Sequence, residues 1–250
     1  MTTTLTTVHR PTVRSSAPSA ASLVGLEIRK SLSTRSGKAV ALAGAATAPV
    51  VTLGLAFSGE ALDAVRGPIG AMGLVTALVL IPLGVLATAG EWSHRTVQTT
   101  FLHVPSRSKV VAAKVAAVAL MGAVLSAIAI VGSVGALSIG PIGNPSWDGA
   151  VTAMGIAVAA GAAFAVIGAG VGAALANTPA ALTTLYLVVL GVMPGLRLIK
   201  PEVADALDPT NAVLGLATGN GTTGYAVTLV GWVVVTTVAG AIITRRRAVQ

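Results

Sequence analysis

Six uninterrupted apolar runs, at about 39–57, 69–90, 110–137, 150–176, 180–196 and 225–244, carry no Asp, Glu, Lys, Arg or His away from their ends. An α-helix needs about 20 such residues to cross the hydrocarbon of a bilayer. Membrane β-strands need only about 10, in strict alternation, and these runs are longer and do not alternate. The reading is therefore all-α: a polytopic membrane protein with six transmembrane helices. Composition agrees, since 54% of the 250 residues are hydrophobic and 10% charged, against about 45–50% and about 25% in soluble domains. No large soluble domain fits beside the spans. Pro49, Pro82 and Pro194 fall within or near them, and kinks are expected at Pro82 and Pro194, where neighbouring helices can satisfy the freed carbonyls.

The flanks divide by charge. Residues 1–22 are rich in Thr, Ser and Ala with Pro11 and Pro18, which reads as a disordered tail, and no apolar core of a signal peptide appears before position 39. Between 23 and 38, Val24, Ile28 and Leu32 recur among Glu27, Arg29, Lys30 and Arg35. That spacing predicts a basic amphipathic helix at the membrane interface; the alternative is a straight extension of the first span. One side of the spans holds Arg10, Arg14, Arg29, Lys30, Arg35, Lys38, Arg95, Arg107, Lys109, Lys114 and Arg245 to Arg247, which is 13 of the 16 basic residues. The other has Arg66, Arg197 and Lys200 but six of the eight acids: Glu60, Asp63, Asp148, Glu202, Asp205 and Asp208. The positive-inside rule then places both termini in the cytoplasm of a multi-pass cell-membrane protein, with an even number of spans. The net charge of +8 flanks apolar runs, and only 3% of residues are aromatic, so the bilayer and not nucleic acid is the partner of the basic residues.

Catalytic chemistry has few parts to work with. Cysteine is absent, which excludes disulfides, thiolate metal sites and cysteine nucleophiles. No phosphate-binding loop exists, because the one Gly-Lys pair, Gly37-Lys38, has Leu32 where the first glycine is required. The H-E-x-x-H and G-x-S-x-G signatures are missing too. His94 and His103 stand nine residues apart, on different faces of any helix. No catalytic residue, metal site or cofactor bound by this chain is therefore expected. Ion-coupled carriers commonly use an intramembrane ionisable residue, and none is present in the middle of any run. If the protein moves something uphill, its energy comes from another subunit.

The most informative loop runs Gly90-Glu91-Trp92-Ser93-His94-Arg95-Thr96-Val97-Gln98-Thr99-Thr100-Phe101-Leu102-His103-Val104-Pro105-Ser106-Arg107. Residues 93 to 103 can form about three helical turns, ended by Pro105, with Ser106 or Ser108 able to cap the third span. Phe101 and Leu102 beside Arg95 suit a groove on a cytoplasmic partner. Glu91 can stabilise the start of such a helix through its dipole, or pair with Arg95. An ordinary solvated basic loop is the alternative.

This segment resembles the intracellular loop of ABC-2 type permeases, the membrane subunits of ATP-binding-cassette transporters with the ABCG-like exporter fold. There an acid closes the second span, a basic and Thr-rich stretch follows, and a Leu-x-x-Pro-x-[Arg/Lys] turn enters the third. Glu91, Arg95, Thr96, Thr99, Leu102, Pro105 and Arg107 match that pattern. The resemblance extends over 23–247. It implies that residues 93–103, with Phe101, form a coupling helix and that the interfacial helix with Val24, Ile28 and Leu32 also meets the ATPase. It further implies that the small-residue fourth span, with Gly161, Gly168 and Gly172, turns tightly into the fifth through Asn177-Thr178-Pro179. Two short external helices are expected before the last span, at 203–207 and 212–217, with Thr210 or Asn211 as a cap; a plain surface loop is the alternative.

By the same resemblance, 23–250 is a six-helix permease domain. It pairs with a second or related permease and with two copies of a cytoplasmic ATPase subunit that carries the ATP and Mg. A pathway between permeases lined by the second and fifth spans nominates Thr76, Leu80 and Leu83 on one side and Thr183, Tyr186, Leu190 and Met193 on the other. Such a surface suits export of a hydrophobic or amphipathic drug, lipid or peptide. The competing readings are an ion-coupled carrier or channel acting alone, with sodium held by backbone carbonyls at an unwound helix, and a non-transporting membrane anchor subunit.

Overall fold

The computed structural model describes residues 19–59, 61–93, 107–220 and 223–246. These form nine helices, and no strand occurs among the described residues. They are α1 (Ala20–Ser33), α2 (Arg35–Ala56), α3 (Arg66–Ser93), α4 (Arg107–Ile139), α5 (Ala150–Leu175), α6 (Thr178–Ile199), α7 (Pro201–Leu207), α8 (Pro209–Thr218) and α9 (Thr223–Arg246). Helices α2 to α6 and α9 are each long and apolar enough to cross a bilayer, which is the architecture of a multi-pass membrane protein. They fall on the six predicted runs. The first begins at Arg35 and not at 39, because the Thr34 hydroxyl accepts from the Gly37 amide at 3.0 Å and caps the helix early.

At the centre lie α3 and α5, packed along their length; α4 and α2 cover one flank, and α9 and α6 the other. Their contact is made backbone to backbone. A methyl group on Gly84 would overlap the Ala165 carbonyl, and one on Gly168 would overlap the Ile81 carbonyl. Gly172 lies against Val85 and Thr88, and the Thr88 hydroxyl donates to the Ala169 carbonyl at 2.9 Å. Gly161, the third small residue of the predicted close contact, faces Ser126 and Gly122 of α4 instead. Without a hydrophobic drive between helices in lipid, association rests on such close packing and interhelical hydrogen bonds. Large apolar side chains sit outside: Val151 is 82% and Leu198 is 90% exposed, as lipid-facing positions require.

The prolines behave differently from one another. Pro82 lies inside the continuous α3, and Pro49 inside α2. Pro194 follows a π-helical stretch, Leu187–Val192, where the Met193 amide donates to the Val188 carbonyl five residues back. Pro194 has no amide to offer the preceding turn, and the wider turn takes up the mismatch.

At the end away from the termini, α7 and α8 form the two short helices that the sequence predicts. They begin earlier, at Pro201 and Pro209, and the cap is Asp208, not Thr210 or Asn211. Asp208 Oδ1 accepts from the Thr210 amide at 2.8 Å and its hydroxyl at 2.6 Å. Pro209 explains the shift: a proline takes the first helical position, which makes the preceding acid the cap. Helix α8 is packed against α3, α5 and α9, burying Val213 and Ala217. Arg66 Nε donates to the Ala217 carbonyl at 2.6 Å, and Arg197 pairs with Asp208 at 3.2 Å and Asp205 at 3.3 Å. Trp232 Nε1 ties α9 to the Leu207 carbonyl at 2.7 Å.

Two substitutions separate close packing from mere helix content. Gly168→Val should lower stability by about 1–3 kcal/mol through overpacking, read as a lower thermal unfolding temperature in detergent. Gly155→Ala, in the same helix with open space around it, should leave that temperature unchanged or slightly raised.

Candidate functional site

An acid at the end of one apolar helix and a lysine inside the next need each other. Glu91 lies in the last turn of α3 and Lys114 in the second turn of α4, and both side chains are buried, 9% and 8% exposed. Lys114 Nζ donates to Glu91 Oε1 at 2.6 Å and to Glu27 Oε2 at 2.7 Å, with the Ala87 carbonyl at 3.4 Å. Lys30, one turn after Glu27 on α1, pairs with Glu91 from the exposed side. The four charges sum to zero. A buried charge with its partner removed is strongly destabilising, so the network fixes where α1 lies on α3 and α4.

Helix α1 opens with Ser19, whose hydroxyl accepts from the Ser22 amide at 3.2 Å. Of its predicted apolar stripe, Ile28 packs on the cluster of Leu80, Leu83, Val118 and Met121. Val24 is half-buried, and Leu32 is exposed. The stripe is thus rotated: the face toward the protein carries Glu27 and Ser31 beside Val24 and Ile28, because Glu27 must reach Lys114. Leu26 and Leu32 are left pointing outward.

Between α1, α2 and α3 a cavity of about 310 Å³ opens at this same end. Its polar wall is Glu27, Lys30, Ser31 and Thr34, and its apolar wall includes Leu83, Leu86 and Ala87. An amphipathic molecule matches that lining.

Of the predicted docking residues, Glu91 is in the network described. Arg95, Thr96, Thr99, Phe101, Leu102 and Pro105 lie outside the described residues, and so does the Arg107 side chain at the start of α4. Thr76, Leu80 and Leu83 are fully buried among this chain's own helices. They therefore do not face out from the single chain. The half-exposed face of α3 lies one position away, at Val75, Val79, Pro82 and Leu86. On α6, Thr183 and Leu190 are exposed and Met193 is buried. Tyr186 is half-buried, and its hydroxyl donates to the Leu78 carbonyl at 3.0 Å, joining α6 to α3. The turn before α6 is as tight as predicted: Ala176 takes φ 52°, and Asn177 Oδ1 accepts from the Ala180 amide at 2.9 Å.

The sequence reading missed Lys114 and Glu27. Their signal was present, for Lys114 stands a turn inside an apolar run and needs a carboxylate there. No protein-family model matches the chain, and no curated protein matches it.

Removing one member of the network tests its burial. Lys114→Met should cost about 3–5 kcal/mol by leaving Glu27 without its partner and Glu91 with only the exposed Lys30. Adding Glu27→Gln and Glu91→Gln to it should recover most of that loss, both read by thermal unfolding in detergent.

Proposed function

We propose that this chain is the permease subunit of an ATP-binding-cassette exporter of the ABC-2 type, with both termini in the cytoplasm. The observation that carries the reading is the neutral network of Glu27, Lys30, Glu91 and Lys114. It joins an amphipathic helix to the two helices that flank residues 94–106, the segment whose Arg95, Thr96, Thr99, Leu102 and Pro105 carry the family pattern. A push on that segment from a cytoplasmic partner reaches α3 and α4 directly, and the salt bridges oblige α1 to follow. Coupling of this kind needs a bistable element biased by its partner, and a buried ion-pair network resists partial displacement.

In this reading the energy comes from ATP bound with Mg on a separate subunit, in two copies, since the chain has no phosphate-binding loop. Two permeases, alike or related, enclose the pathway. The accessible face of α3, with Val75, Val79 and Leu86, replaces the buried Thr76, Leu80 and Leu83 as the lining on one side. Thr183 and Leu190 of α6 line the other. These walls are apolar with few hydroxyls, and the cavity beside Leu86 pairs an apolar wall with a polar one. Together they favour a hydrophobic or amphipathic substrate drawn from the membrane.

The test is co-purification of the full chain from its native membranes. A soluble subunit with a phosphate-binding loop should be recovered and should be lost from the Arg95→Glu/Phe101→Ala variant while membrane insertion is intact. Recovery of the correctly folded chain without such a subunit would contradict the proposal and favour a carrier or channel acting alone.

A further inference from the structure

The cavity between α1, α2 and α3 changes character along its length. Its α3 wall runs from Leu83 through Leu86 and Ala87 to Glu91, about 12 Å of helix, and passes from apolar to ionic toward the end of the bundle that holds α1. There Glu27 and Lys30 stand one helical turn apart on α1, with Ser31 in the same wall. A space of about 310 Å³ thus has an apolar inner end and a charged outer one, in the order in which a bilayer passes from hydrocarbon to headgroup.

The ion network leaves hydrogen-bonding capacity on both α1 residues. Glu27 accepts from Lys114 through Oε2 at 2.7 Å, and its Oε1 has no hydrogen-bond partner among the described residues. An ammonium has three N–H donors, and Lys30 uses one of them, on Glu91. Lys114, by contrast, is fully engaged by Glu27, Glu91 and the Ala87 carbonyl. The cavity therefore presents a largely buried anionic acceptor and, beside it, a cation with free donors. A ligand of one charge alone would meet its like on Glu27 or on Lys30. A ligand with both charges a few bonds apart meets each with its opposite. Its cation must carry N–H groups, because a carboxylate only accepts, and the wall of Leu83, Leu86 and Ala87 calls for an attached hydrocarbon.

We propose that the cavity between α1, α2 and α3 binds one phosphatidylethanolamine. Its primary ammonium donates to Glu27 Oε1, its phosphate pairs with Lys30 and accepts from the Ser31 hydroxyl, and the start of an acyl chain lies on Leu83, Leu86 and Ala87. Phosphatidylcholine carries the same two charges but has no N–H to donate, and phosphatidylglycerol has no cation. The site concerns neither the 94–106 segment nor an ATPase, and it stands whether or not the chain is a permease.

The test uses the full chain in micelles with equal amounts of phosphatidylethanolamine, phosphatidylcholine and phosphatidylglycerol, and native mass spectrometry reads the lipid retained. One phosphatidylethanolamine per chain is expected in preference to both others. Glu27→Gln should cut the preference over phosphatidylcholine about tenfold, the worth of one hydrogen bond to a charged group. Leu86→Trp, outside the ion network, should fill the apolar wall and reduce retention of the lipid. Val79→Trp, two turns away on the same half-exposed face of α3 and outside the cavity, should match the unmodified chain. Equal retention of phosphatidylethanolamine and phosphatidylcholine, a preference for phosphatidylglycerol, retention of none, or equal effects of the two tryptophan substitutions would overturn the site. So would a preference over phosphatidylcholine that survives Glu27→Gln in full. Full displacement of the lipid by soluble phosphoethanolamine would assign the cavity to a free headgroup compound and overturn it also.

Discussion

The backbone contact between α3 and α5 is the constraint on which the other helices depend. Gly84, Gly168 and Gly172 let two helices meet with no side chain between them, and the Thr88 hydroxyl closes the seam on the Ala169 carbonyl. In water a glycine-rich helix is a weak one; in lipid the same glycines supply the packing that hydrophobicity cannot. Once the pair is set, α2 and α4 have one flank to cover and α6, α8 and α9 the other. The end of α3 is then held next to α4, which brings Glu91 within reach of Lys114.

That second contact changes the character of the basic end. Between α3 and α5 the bundle is held by small residues and dispersion. Here four charges are interlocked across three helices, and loss of the shared Lys114 leaves Glu27 without its partner. The cavity beside Leu86 and the smaller one beside Thr244 both border this network, and Glu91 lines each of them. Movement of α1 relative to α3 would change the shape of the first, while the second is walled by α3, α4, α5 and α9. The ion pairs among the described residues thus sit at the two ends of the bundle, the buried network at one and Arg197 with Asp205 and Asp208 at the other.

The number and extent of the spans were legible because charge-free runs of that length have one solution in a bilayer. Rotation about the helix axes was not. Helix α3 is apolar on every face, so nothing in its sequence distinguishes Thr76, Leu80 and Leu83, which are buried, from Val75, Val79 and Leu86, which are accessible. The turn of α1 was misjudged for a related reason: hydrophobicity alone sets Val24, Ile28 and Leu32 on one stripe, but the ion pair from Glu27 to Lys114 outweighs the burial of Leu32. The cap at Asp208 followed from Pro209 and could have been read. The π-helical turn before Pro194 could not, since it depends on how the chain absorbs a missing amide.

As the permease subunit proposed above, the chain would move its substrate only when a separate subunit hydrolyses ATP. The most direct measurement is accumulation of a hydrophobic fluorescent dye in inside-out vesicles that hold the chain, with and without its co-purified subunit. The expected result is ATP-dependent accumulation that requires both proteins and is unaffected by collapsing sodium and proton gradients. Accumulation by the chain alone, driven by either gradient, would contradict it.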